Sequence, residues 1–189
     1  MPEFGGEGIE ELADHFAQLS ERQAANVRVL REEIERRRGE AREQGRNFAA
    51  PTGAQILDRL QSARSPMFSF IAWGGPTASP GTINMSVGIF NPDPVGLGNL
   101  FVHVFIGPAS LVADVGQALA LVDTRFPRLT GPPFGLVVNA SGTVSLDFSI
   151  EVPAAIGASS YLANAFLFFA DFFGSGAPLD RASFVFEVT

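Results

Sequence analysis

The apolar residues of this chain change their period once. Up to about residue 45 they recur every three or four positions, and from Met67 onward they recur every second position. A helix repeats every 3.6 residues and a strand every two, so one stretch cannot satisfy both patterns. The chain therefore divides into a helical front and a β remainder. The expected fold class is α+β: a long, coiled-coil-like N-terminal helix followed by a mostly antiparallel β-sandwich. Residues 1–47 are expected to form a helical oligomerisation or docking segment, 48–66 a linker with a short helix, and 67–189 the sandwich.

The helical pattern spans residues 8–45. Ile9, Leu12, Phe16 and Leu19 are spaced 3, 4, 3, and Val27, Leu30 and Ile34 are spaced 3, 4, as in the seam of a coiled coil. Gln23 holds the seam position between the two runs, and the pattern resumes four residues later, a stutter that locally unwinds a supercoil. Glutamates at 7, 10 and 11 open the helix and Arg36, Arg37 and Arg38 lie near its end, as the helix dipole favours. Gly45 is the expected stop. A helix of this length reaches roughly 55 Å, which outruns a small β-domain. The seam is thus expected to pack against another copy or a protein partner. The opposing reading has the helix bend at Gly39 or at the stutter and fold back over its own sheet.

Thr52-Gly-Ala-Gln55 has the form of a capping box and predicts a short helix over 53–63. Among the strands, Val144, Leu146, Phe148, Ile150 and Val152 alternate with polar residues, and Ile83, Met85, Val87 and Ile89 do the same. Phe184, Phe186 and Val188 close the chain in that pattern. Residues 100–106 and 162–169 are apolar on both faces, which fits either central strands covered on both sides or strands meeting a partner. The stretch 110–123 suits a helical crossover or a strand.

Charge is uneven. The first 64 residues hold 22 of the 33 charged side chains, leaving few to cover the outer faces of the sandwich; surface buried against another chain follows as an expectation. Every basic residue is an arginine, which excludes Schiff-base lysines and the P-loop lysine. Without cysteine there is no disulfide, thiolate nucleophile or cysteine zinc site. The acidic balance argues against nucleic acid. The acidic start lacks the form of a secretory signal, and the most apolar run, 162–173, is too short to span a bilayer. A cytoplasmic location, or assembly into a larger particle, is compatible with this. No cofactor or metal is expected.

Three segments carry a resemblance. Val87-Gly-Ile-Phe-Asn-Pro92 ends a strand in an Asn-Pro turn, Ser141-Gly-Thr-Val-Ser-Leu-Asp-Phe148 runs from turn to strand, and Arg181-Ala-Ser-Phe-Val-Phe-Glu-Val188 closes the chain. Together they make residues 67–189 similar to bacterial immunoglobulin-like modules of the CARDB (cell-adhesion-related) kind. The resemblance implies an architecture and no activity. A helix near Ser110 would depart from that pattern.

Candidate chemistry is sparse. The two histidines, His15 and His103, are separated, and His103 in its apolar strand suits a packed or interface role better than a catalytic base; a hydrolase built on His103 is the weakest alternative. Asp93 and Asp180 are expected as turn residues rather than calcium ligands. Arginines 28–46 interleave with glutamates, which predicts a salt-bridged face. Trp73 and Tyr161 are the candidate contacts for an apolar ligand or glycan. The leading expectation is a non-catalytic structural or assembly protein, a sandwich in a homo-oligomer with a helical stalk or docking arm. The alternative is a ligand-binding sandwich.

Overall fold

The computed structural model describes residues 21–62, 66–108, 123–127, 129–169 and 178–189. Helix α1 (Glu21–Glu43) and strand β1 (Asn47–Ala49) precede helix α2 (Gly53–Ser62). Seven strands follow: β2 (Met67–Trp73), β3 (Gly81–Phe90), β4 (Leu97–Pro108), β5 (Leu129–Val138), β6 (Thr143–Val152), β7 (Ser159–Phe169) and β8 (Asp180–Val188). They form two four-stranded sheets, ordered β1-β2-β3-β6 and β5-β4-β7-β8, with every neighbouring pair antiparallel.

The alternating strands build the space between the sheets. Ile83, Met85, Val87 and Ile89 of β3 face Val102, Val104 and Ile106 of β4 and Ala163, Ala165 and Leu167 of β7 in one buried cluster. β4 and β7 are the central strands of the second sheet, and their outward residues Phe105, Leu162, Phe166 and Phe168 are at most 5% exposed. The doubly apolar strands are therefore covered on both faces within this chain. Residues 109–122, with the helix-or-strand question they carry, lie outside the described residues.

Both helix ends follow their local chemistry. Gly45 adopts a left-handed φ of 63°, and its N–H donates to the Arg42 carbonyl at 3.1 Å while the Arg46 N–H reaches the Ala41 carbonyl at 2.8 Å. This pair of bonds is a Schellman motif, which needs a residue without a Cβ penalty at that position. At α2 the Thr52 N–H donates to Gln55 Oε1 (2.9 Å) and the Gln55 N–H to Thr52 Oγ1 (3.3 Å), completing the capping box.

The expected seam is used differently from a coiled coil. Val27, Leu30 and Ile34 are at most 1% exposed, packed with Met67, Phe70 and Ala72 of β2 and Phe90 of β3 on the outer face of the first sheet. These three residues are spent on the chain's own sheet and are closed to another copy. The physical reason is β2, whose register shifts between Phe68 and Phe70. The extra residue turns Phe68 into the intersheet core and Phe70 outward beneath the helix, giving the sheet a second apolar face. The described helix has 23 residues; Ile9, Leu12, Phe16 and Leu19 lie outside the described residues. β1 adds a strand to the same sheet, so residues 21–62 are built into the sandwich body.

Candidate functional site

A polar recess lies where the C-terminal half of α1 crosses the first sheet. It is a cleft of about 180 Å³ lined by Arg37, Glu40, Gln44 and Arg46 from the helix side and Ser86 and Asp147 from the sheet, with Phe70 at its base. Arg46 sits just past the helix stop and spans to the sheet: its Nη2 donates to the Ala72 carbonyl (2.9 Å) and to Ser86 Oγ (3.1 Å). Ser86 Oγ in turn donates to Asp147 Oδ1 at 2.5 Å. Arg37 stands over the Phe70 ring, 5.3 Å from its centroid, and donates through Nη2 to Ser145 Oγ at 2.8 Å. The Ser86 and Ser145 hydroxyls on the outer faces of β3 and β6 therefore bond arginines of the helix side. Chemically, the cleft offers two guanidiniums and two carboxylates already committed to protein partners. That suits holding helix and sheet in register, with space for water or a small polar molecule.

The rest of the arginine-glutamate face is a salt-bridged network as expected. Arg37 Nε bonds Glu33 Oε1 at 2.8 Å, Arg36 bonds Glu33 and Glu40, and Arg31 bonds Glu35 at 3.1 Å. Burial pulls the Glu33 pKa upward, but the bonded guanidiniums of Arg37 and Arg36 outweigh it and hold the carboxyl below its usual range.

A second ionic cluster ties α2 to both sheets. The Asp180 carboxylate pairs with Arg59 of α2 and accepts the backbone N–H groups of Phe68 (2.7 Å) and Arg181 (2.8 Å). Burial pushes the Asp180 carboxyl above its usual range, and the Arg59 charge and the two N–H donors only partly offset this. At Asp93 the N–H bonds Asn91 Oδ1 (3.0 Å), and the carboxylate lies 3.9 Å from Arg22. Both aspartates thus serve turns and ion pairs.

The remaining candidates are placed as follows. His103 is 1% exposed, stacked near Phe105 and edge-on to Phe168, with Nδ1 3.1 Å from Thr130 Oγ1. It is a packed histidine. Tyr161, proposed as a ligand contact, is a core residue: it stacks on Phe186, meets Phe126 edge-on, and donates its hydroxyl to the Gly157 carbonyl. Trp73 packs on Phe184, ring centroids 4.7 Å apart, at the margin of the same core. Both aromatics join the intersheet cluster, because each sits on the inward side of its strand, and they form no shared platform. Sequence reading missed the Arg46–Ser86–Asp147 chain. Ser86 and Asp147 sit among other polar outward residues of β3 and β6, and only the strand register brings them opposite one another.

No protein-family model matches this sequence, and no curated protein sequence matches it. Solved structures do match in shape. The C-terminal domain of wzt is 11% identical, with 67% of this chain and 75% of that domain covered and a TM-score of 0.52. A CARDB domain from Pyrococcus furiosus, solved in complex with di-metal ions, is 15% identical over 66% of this chain and 90% of that one, TM-score 0.41. A Niemann-Pick type C2 protein from Japanese carpenter ant is 11% identical over 68% and 96%, TM-score 0.42. The CARDB resemblance read from the strand motifs thus reappears among the structural matches. At these identities the likeness is one of fold: the chain is a β-sandwich with a helix laid across its first sheet.

Proposed function

We propose that this chain is a non-catalytic structural module that works by assembly, with Ile9, Leu12, Phe16 and Leu19 as its docking arm. The observation that carries this reading is that the described part of α1 already spans the sheet it covers. Arg22 and Asn26 both donate to the Pro92 carbonyl at 2.9 Å, just beyond Phe90, the last residue of β3. A 23-residue helix rises about 34 Å and a ten-residue strand about 33 Å, so α1 uses the length of the sheet. Ile9, Leu12, Phe16 and Leu19 repeat the seam spacing further upstream in the sequence. Large apolar residues at that spacing need a partner surface. A second copy of this chain supplies one with the same pattern.

Non-catalytic work fits the described polar groups. His103 is packed among rings, and Glu33, Asp123 and Asp180 are each committed to arginines. The test is a Leu12→Asp, Phe16→Asp double variant of the full chain, weighed by light scattering beside the parent. A smaller particle with unchanged far-UV circular dichroism and unfolding temperature is expected. A particle of the parent's mass would overturn docking through the seam.

A further inference from the structure

The four sheet edges are not equally protected. Exposed edge strands template pairing with another chain, and proteins blunt them with shortness, prolines, bulges or a cover. β1 is three residues long. β8 is closed at its end by Thr77, whose N–H donates to the Glu187 carbonyl and whose carbonyl accepts from Thr189. β5 carries Pro132 and Pro133 and pairs with β4 through two register shifts. Among the described residues β6 has none of these devices. It keeps ten consecutive pairs with β3, Thr143 to Val152, without a shift, and contains no proline or lysine. Among the described residues β3 is its one strand partner. Its inward residues Val144, Leu146 and Phe148 are only half-buried, although they point into the core cluster.

We propose that β6 is a self-pairing edge, joining two copies of this chain antiparallel about a two-fold axis centred on Phe148. The register follows from side-chain chemistry. In a symmetric antiparallel pair, residue i lies opposite residue 2k − i, where k is the central residue, so inward residues always meet inward residues. Centring on Asp147 would set that carboxylate against its own copy. Centring on Ser149 would set Asp147 against Glu151. Both are like-charge pairs, which destabilise a sheet. Centring on Phe148 sets Asp147 against Ser149 and Ser145 against Glu151, so each carboxylate meets a neutral serine instead of a second carboxylate. On the inward side it sets Val144 against Val152 and Leu146 against Ile150, and every residue from Val144 to Val152 is paired. The half-exposed Val144, Leu146 and Phe148 gain cover, and the first sheet becomes an eight-stranded sheet across the dimer. This interface is separate from the N-terminal seam and does not depend on it.

Because the chain has no cysteine, introduced thiols report the register directly. Full-length Asp147→Cys and Ser149→Cys variants place thiols at exposed positions opposite one another in this register, with Cβ atoms about 4.5–5.5 Å apart, close to disulfide reach. Under mild oxidation an equal mixture of the two should give a mixed disulfide dimer well in excess of either homodimer. Ser145→Cys with Glu151→Cys repeats the test should the first pair disturb folding. Homodimers as abundant as the mixed species in both pairs would overturn the register. No cross-link in either pair, from a parent that is a dimer or larger by mass, would overturn the β6 interface while leaving assembly through the seam intact.

Discussion

Leu30→Ala tests how α1 is held. Leu30 is 0% exposed, in the middle of the stripe that meets Met67, Phe70 and Phe90. Truncation removes three buried carbons, worth about 2.4 kcal/mol at about 0.8 kcal/mol each. The cavity left between a helix and a sheet that are each tied elsewhere adds to this, giving an expected total of about 3–4 kcal/mol. The helix-propensity difference between leucine and alanine, a few tenths of a kcal/mol, does not offset it. Urea unfolding followed by circular dichroism reads the loss: with a slope of roughly 2 kcal/mol per molar, the midpoint should fall by about 1.5–2 M. The difference between variant and parent should be the same at low and high protein concentration, because the contact lies within one chain. A loss below about 1 kcal/mol, or one that grows as the protein is diluted, would refute packing of α1 on its own sheet.

Two other changes probe the same body. At Gly88 an added Cβ would fall 2.2 Å from ring carbons of Phe70 and 2.4 Å from Ser69 Oγ, so Gly88→Ala should cost at least about 1–3 kcal/mol, and Phe70→Leu should recover part of it in thermal unfolding. Asp180 has a folded-state pKa above its unfolded one, so its contribution is fully present below the usual carboxylate value and is lost as pH rises through the folded pKa. Glu33 and Asp123, held below their usual range, act in the opposite sense. Denaturation at stepped pH from about 7 to about 4 should therefore show the parent gaining stability relative to Asp180→Asn as the solution is acidified; a constant difference would show that Asp180 titrates alike in both states.

The legible parts of the sequence were those fixed by local chemistry. Gly45 ends α1, Thr52 and Gln55 cap α2, and the inward residues of β3, β6 and β8 follow their alternation. The partner of the Val27–Leu30–Ile34 stripe was not legible, because 3, 4 spacing suits a helix packed on a helix or on a sheet equally. The deciding feature is the irregularity at Ser69 in β2. It puts Phe68 and Phe70 on opposite faces although their separation of two predicts the same face. Edge position was equally hidden: Phe148 points inward as its strand pattern predicts, yet it is half-buried because β6 ends the sheet. Tyr161 and Trp73 pack with the intersheet cluster, a side that residue spacing alone did not single out.

The most direct test of the account is the mass of the unmodified full chain in solution, measured by light scattering across the micromolar range. Assembly through the seam and the β6 edge predicts a particle of at least two chains, shrinking on dilution in discrete steps. A mass of 20.1 kDa, one chain, at every concentration would contradict it.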